Sequence, residues 1–417
     1  MITVSTATRG YRKLDYDHDN DNGGDGTGVV PKWPRYQVLN SMARDLIVFG
    51  EDWGGLPSST QHLVRHLARD RRVLWVNSIG MRRPRLTAGD LGRLGHKVRA
   101  MLSGAGRPGP SAEPPPFPVL APRALPWPGN PLARAVNRRV LGRQVARAAA
   151  DHGMREPVLW TSLPTAVDVV GTLGEHAVVY FCGDDFGALA GVDHAPVLRM
   201  EQELVELADL VFVVSQPLLA RFPAAKTRLL LQGVDFDLFS SPAVRAPDLP
   251  DSGPVAGFFG MIEDWVDTDL LADLARRLPD WHFFLIGSVK TNVSALAALG
   301  NVTLAGPRPY ARLPSYAQHW DVSLLPFRDG DTMRAANPLK LREYLAAGQP
   351  VVSTDFPWLD GYRDLVSVAT GPADFAAAVA AARLEPAGRA APRRARVAGE
   401  SWQARAAEAA ALIDALG

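Results

Sequence analysis

Asn337-Pro338-Leu339-Lys340-Leu341-Arg342-Glu343-Tyr344-Leu345-Ala346-Ala347-Gly348-Gln349, followed by Pro350-Val351-Val352, is the stretch on which the reading of this chain turns. Pro338 suits the first turn of a helix and Gly348 a C-terminal stop. Val351-Val352 then opens a buried strand, so the segment reads as helix, tight turn and strand. Lys340 and Glu343 stand three residues apart and share a helix face. At the mouth of a parallel sheet such a pair suits a nucleoside diphosphate, the ammonium facing phosphate oxygens and the carboxylate accepting from ribose hydroxyls. An exposed Lys/Glu pair on an ordinary helix is the competing reading, and the spacing alone does not separate the two.

Outward from this segment, strand-like apolar runs alternate with helix-period segments from Asp45 onward. In the first half the runs are Leu46 to Phe49, Val73 to Val76, Val158 to Thr161, Ala177 to Phe181, Leu210 to Val214 and Leu229 to Leu231. In the second half they are Val255 to Phe259, His282 to Ile286, Val302 to Leu304, Val322 to Pro326, Val351 to Ser353 and Leu365 to Val368. Short continuous runs bounded by Gly, Pro or Asp predict parallel strands covered on both faces by crossover helices. Two such sets in a chain of 417 residues predict two doubly wound α/β domains. We place an N-terminal domain at 37–240, a linker at 241–253 and a C-terminal domain at 254–398. Pro242, Pro247 and Pro250 interrupt the linker. A last Ala-rich helix at 399–417 has Leu412, Ile413 and Leu416 on one side. Residues 1–36 are acidic and Gly-rich, and read as a disordered tail. Its Asp17-started calcium loop fails at Asn22 and Gly28, and Gly24-x-Gly26-x-Gly28 follows no strand.

The Pro338 to Val352 segment resembles the donor-binding helix of GT-B glycosyltransferases, close to family 4 (group 1) and its teichuronic-acid-type relatives. Gly233-Val234-Asp235 with Phe239 is similar to the G-V-D-x-x-x-F element that ends the N-terminal domain of such enzymes. The resemblance covers about residues 45 to 416. It implies two Rossmann-like domains facing across a cleft, with the C-terminal helix crossing back to the N-terminal domain. The implied activity moves a sugar from a nucleoside diphosphate, uridine-linked, onto a glycan or lipid-linked acceptor in envelope or exopolysaccharide synthesis. It implies no metal and no cofactor beyond the nucleotide-sugar donor.

On the donor wall, the resemblance and the chemistry together give Lys340 the diphosphate and the charge that grows on it as the sugar leaves. Glu343 is expected to hold the ribose. Asn337 is the expected N-cap, and the free N–H groups after Pro338, beginning with Leu339, favour an anion. Arg334 and Arg328 stand in the preceding loop, within reach of phosphate or solvent. Arg308 and Tyr310 resemble the segment that receives the nucleobase. Gly260, ending the first strand of this domain, either lets backbone approach the diphosphate or simply makes a tight turn. On the acceptor wall, the loop from Gly50 offers Asp52, Gly54 and Gly55. Asp184 and Asp185 follow a strand, where one is a candidate general base if the reaction inverts, or else a helix cap. Two departures from the family pattern stand out: Ala335 replaces a customary Glu, and Met261-Ile262-Glu263-Asp264-Trp265 lacks the customary cation after Gly260. Both put retaining stereochemistry in doubt.

Lys plus Arg (45) nearly balance Asp plus Glu (44), which argues against a general nucleic-acid binder. The single Cys182 excludes an intrachain disulfide and reads as core. No apolar run reaches the roughly 20 residues that span a bilayer, and no signal-peptide core is seen. A soluble cytoplasmic protein is expected, with two basic stretches, Arg82 to Arg107 and Arg134 to Arg147, that either meet anionic membrane or are solvated. Asp329-Gly330-Asp331 sits in the wrong architecture for a metal pair. A nucleotide-sugar epimerase of the same fold, a two-domain binding protein and a catalytically silent partner subunit remain the competing functions.

Overall fold

The computed structural model describes residues 43–54, 58–81, 115–187, 192–330, 333, 339–386 and 388–416. The expectations placed on 1–36, Gly55, Arg82 to Arg107, Arg334, Ala335 and Asn337 lie outside these residues.

Two all-parallel sheets organise the chain. The first holds β1 (Leu46–Phe49), β2 (Val73–Val76), β3 (Val119–Leu120), β4 (Val158–Thr161), β5 (Ala177–Cys182), β6 (Leu210–Val213) and β7 (Thr227–Leu229) in the order β3-β2-β1-β4-β5-β6-β7. The second holds β8 (Val255–Phe259), β9 (His282–Ile286), β10 (Val302–Gly306), β11 (Val322–Leu325), β12 (Val351–Ser353) and β13 (Ser367–Val368) in the order β10-β9-β8-β11-β12-β13. In each, the order reverses beside the first strand, which opens a crevice at the carboxyl ends. The central strands β1, β2, β4, β5, β6 and β8 are buried along their whole length, which is why they read as unbroken apolar runs.

Edge strands are where the sequence reading shifts. β7 starts at Thr227, two residues before the Leu229 to Leu231 run, because an edge strand alternates: Thr227 is buried and Arg228 exposed. β3 is two half-buried residues among prolines and gave no run to read.

Among the longer helices are α1 (Ser59–Leu67), α2 (Pro131–Asp151), α3 (His194–Leu207), α4 (Thr268–Arg277), α5 (Leu339–Ala347), α6 (Gly371–Ala382), α7 (Ala390–Val397) and α8 (Trp402–Asp414). Four of these starts follow side-chain caps: Ser58 accepts from Gln61 N at 3.2 Å, and Asn130 from Leu132 N at 2.9 Å with Pro131 at the first turn. Asp267 and Ser401 cap α4 and α8 in the same way.

The junction between the sheets is a short parallel bridge, Val234 against Ser401. Val234 N donates to Glu400 O at 2.9 Å, and Trp402 N donates to Val234 O at 3.1 Å. A methyl group on Gly233 would fall 2.7 Å from the Trp402 ring, so the glycine of the G-V-D element is demanded by the crossover helix that passes over it. From there α8 packs on α1. Its buried face is Trp402, Ala406, Ala409 and Ile413; Leu412 and Leu416, expected on that face, are only half-buried. Small alanines let the two helices approach, and Arg71 locks the far end by a two-pronged pair with Asp414 at 3.1 and 3.2 Å.

Candidate functional site

Three neighbouring strands of the second sheet, β8, β9 and β10, each end in a glycine: Gly260 and Gly287 follow β8 and β9, and Gly306 closes β10. Gly260 and Gly287 have φ values of 140° and 146°, a region closed to other residues. A methyl group on Gly287 would sit 1.8 Å from the Gly260 carbonyl oxygen, and one on Gly260 would sit 1.9 Å from Lys340 Cε. Backbone is therefore layered on backbone, and the Lys340 stem lies directly on the innermost layer.

Lys340 comes from the first turn of α5, half-buried, while the helix from Leu341 to Ala347 is buried. Burial lowers the ammonium below the usual lysine range, against the opposing pull of Glu343. Among the described residues no hydrogen bond or ion pair engages Lys340. Glu343, one turn on, is buried; desolvation pushes its carboxyl up to about 7, against the Tyr310 hydrogen bond and the Lys340 charge. Tyr310 donates its hydroxyl to Glu343 Oε1 at 2.9 Å. The reading of an exposed Lys/Glu pair thus fails on geometry. Arg342, on another face of α5, is buried and tied to Glu400 Oε2 at 2.5 Å, where Tyr362 also donates at 2.7 Å. These contacts fix α5 to the segment that launches the crossover helix.

The first sheet brings α1 against this cradle. His62 stacks on Trp402 at 4.9 Å with the rings 2° from parallel, and its other neighbour is the Tyr310 ring at 5.4 Å. Burial and the adjacent Arg65 and His66 charges hold its imidazole down to about 3, so it is neutral. The loop after β1 is built on its own bonds. Gly50 is required because Trp75 covers it, Trp53 N donates to Asn77 at 3.0 Å, and Glu51 accepts from Gln61 at 2.8 Å and from Ser58. Asp52 is exposed, and Gly54 takes a φ of 90°.

The two adjacent carboxylates after β5 separate clearly. Asp185 Oδ1 accepts from Arg221 at 2.6 Å and from Gly187 N at 2.9 Å, which gives it a structural partner and a turn to cap. Asp184 retains exposed surface, yet the protein around it and the Glu51 charge raise its carboxyl above the usual range. Beneath them, Glu201 accepts from Tyr180 at 2.6 Å and from Arg221 at 3.4 Å, and burial raises the Cys182 thiol far above its ordinary value. Cys182 is inert core, as read from the sequence.

Arg308, expected near the nucleobase, bonds to Asp248, ahead of β8, at 2.8 Å and to the Tyr316 hydroxyl at 3.1 Å. Arg328 is held by Asp269 at 2.8 Å and Asp267 at 3.2 Å. Gly287, His62 and Trp402 were not singled out from the sequence as site residues, whereas Gly306 opens the segment read as receiving the nucleobase. Gly287 carried a signal, standing like Gly260 at the carboxyl end of a predicted strand. The two rings did not. No group of three or more His, Cys, Asp or Glu able to hold a metal ion occurs among the described residues.

Residues 253–383 match the family described as "Glycosyl transferases group 1". The matched stretch holds β8 to β13. A protein of Bacillus subtilis (strain 168) named as a teichuronic acid biosynthesis glycosyltransferase, TuaH, is 35% identical over 140 residues, which are 32% of this chain. The chain spans about a third of that relative's length (35%). Sucrose-phosphate synthase from Thermosynechococcus elongatus superposes with a TM-score of 0.62 at 18% identity, over 89% of this chain and 99% of the other. Anabaena HepE, solved in complex with UDP, gives 0.58 at 15% identity, over 89% and 100%. At such identities the likeness establishes the fold, which is GT-B with the C-terminal helix returned to the N-terminal sheet.

Proposed function

We propose that the protein is a glycosyltransferase that takes a sugar from a uridine diphosphate donor and passes it to a glycan or lipid-linked acceptor for envelope or exopolysaccharide synthesis, working against an anionic membrane surface. One observation carries the reading: a half-buried ammonium without a hydrogen bond or ion pair among the described residues, laid over Gly260 at the carboxyl end of a parallel sheet. A cation left in that condition is unfavourable until an anion arrives, and a diphosphate has the charge to satisfy it. Glu343 would take the ribose hydroxyls and Tyr310 would pack beside the nucleoside, while Lys340 would stabilise the diphosphate as it leaves. Asp184, with its raised carboxyl and without the ion pair that occupies Asp185, would be the base for an inverting transfer. The UDP of the HepE complex and the name of TuaH support the donor and the pathway class.

A panel of nucleoside diphosphates read by thermal shift tests this. Uridine diphosphate at 100 times its dissociation constant should add about 2.7 kcal/mol of stability. If no nucleotide raises the melting temperature, the donor assignment fails.

The pH dependence has a definite sign. Glu343 rises from an ordinary 4.5 to about 7 in the folded protein, so its burial is best tolerated when protonated. Its contribution to stability is complete below about 4.5 and is lost as pH climbs through about 7. Ribose recognition needs the opposite state, the acceptor carboxylate. Nucleotide affinity should therefore strengthen between pH 6 and 8, on the order of tenfold per unit below the transition. Calorimetry on wild type and Glu343→Gln reads this, the variant being expected to bind weakly and without the step. An identical step in the variant would assign it to another group.

A further inference from the structure

The longest helix among the described residues, α2, turns an unusual face to solvent. Leu132, Val136 and Val140 recur every four residues and are 78, 44 and 44% exposed. On the same face, interleaved with them, stand Arg139, Arg143 and Arg147, all exposed. Arg139 and Arg143 make no ion pair among the described residues, and Arg147 meets only Asp151, at 4.0 Å. The buried face of the same helix, with Ala133, Leu141, Val145 and Ala149, is the ordinary one, so the exposed apolar residues are not part of the core. Leu125 and Trp127, in the approach to α2, are exposed as well. Beside them opens a cavity of about 580 Å³ whose lining includes Arg138, Arg199 and the exposed Leu207. Most of the exposed large apolar residues among the described ones gather here, against a background in which such side chains occur singly.

Arg134 does not belong to this surface. Its guanidinium is engaged by Asp168 at 2.7 Å and by Glu203 at 3.0 Å. Removing it from the basic stretch leaves an alternation of Leu or Val with unpaired Arg on one helix face. That is the pattern of a helix lying in a bilayer interface, apolar tips in the acyl boundary and guanidinium groups at the phosphates.

We propose that the exposed face of α2, with Leu132, Val136, Val140, Arg139 and Arg143, docks this protein on an anionic lipid bilayer. This deepens the proposed function, resting on its membrane-side acceptor, by naming the surface that meets the membrane. The charge argues for lipid over the chain's own nearby segment. Residues 82–107 leave from Met81, whose carbonyl is held by Asp193 N beside the start of α3 at 3.1 Å. They contain Arg82, Arg83, Arg85, Arg93, Lys97, Arg99 and Arg107 against Asp90 alone, so they repel a face that is itself basic. An anionic surface attracts both.

The test is co-sedimentation of the full chain with vesicles of phosphatidylglycerol and phosphatidylcholine, and with phosphatidylcholine alone. Binding should require phosphatidylglycerol and weaken with salt. Val136→Glu with Val140→Glu, and separately Arg139→Glu with Arg143→Glu, should each weaken it about tenfold or more, whereas Arg139→Lys with Arg143→Lys should retain it. Calorimetric uridine diphosphate binding, read on the same samples, should be unchanged, because none of these residues approaches the donor cradle. That readout separates failure here from failure of the donor assignment. Absence of vesicle binding, or binding that both Glu pairs retain, overturns the proposal. So does self-association in sedimentation velocity that the Glu pairs abolish, which would give the face to a second copy.

Discussion

Lys340→Ala should abolish the thermal shift given by uridine diphosphate and lower the rate of transfer by about 10²- to 10³-fold, the loss typical for one preorganised group aimed at developing negative charge. The unliganded variant should melt at the wild-type temperature or slightly above it. This pairing of outcomes follows from the surroundings of the side chain. The ammonium is depressed by desolvation, and only the Glu343 charge opposes that. Deleting it removes a group that costs the apo protein stability, and removes the partner of the diphosphate. A lysine serving the fold would behave in the reverse manner, losing melting temperature and keeping nucleotide. The variant carries a second signature. The Lys340 charge pulls the Glu343 carboxyl down from where burial alone would put it, so without the lysine Glu343 should titrate above about 7. Any residual affinity should then gain its pH step at more alkaline values. Lys340→Arg is not a conservative control, because a planar guanidinium must lie where the stem now touches Gly260. Retention of both the nucleotide shift and the transfer rate in Lys340→Ala would remove the foundation of the donor site.

Much of this was legible before the fold was known, and the reason is physical. Central parallel strands are covered on both faces, so β1, β2, β4 and β8 announce themselves as unbroken apolar runs at the residues where they occur. Lys340 and Glu343 were legible because their spacing is local, set by one helix turn. What could not be read is everything that depends on distant chain meeting distant chain. Arg308 lies two residues from Tyr310 in β10's exit loop, yet turns to Asp248, 60 residues away, while Tyr310 turns to Glu343. Asp184 and Asp185 are indistinguishable in sequence and are told apart by Arg221 and the Gly187 N–H, which both donate to Asp185. His62 and Trp402 stand at opposite ends of the chain and become ring neighbours only when α8 returns to α1. Arg134 begins a basic run and is tied to Asp168 and Glu203. Each case is a choice among polar partners, and partners are a property of the fold.

Gly287→Ala should be among the most damaging single substitutions in the chain, although it removes no functional group. The added methyl would stand 1.8 Å from the Gly260 carbonyl oxygen, at a φ of 146° that L residues rarely adopt. Neither backbone can give way. Gly260 N donates to Ile286 O at 2.8 Å and Gly287 N donates to Gly306 O at 3.0 Å, so moving one crest residue breaks bonds to the others. Steric and dihedral strain of this kind, with the two lost bonds, should cost about 4 kcal/mol or more. The effect should pass into the site by a short route, because the displaced Gly260 is the surface on which Lys340 lies. The second sheet should melt earlier, and whatever remains folded should bind uridine diphosphate weakly with Lys340 and Glu343 intact. Gly300→Ala is the matched control: a methyl there meets nothing within 4 Å, and its cost should stay within about 0.5 kcal/mol. Melting curves of the two variants decide the matter. If Gly287→Ala melts with the wild type and binds nucleotide, the backbone layering at the ends of β8 and β9 is not what supports the donor cradle, and the stem of Lys340 must be positioned by α5 alone.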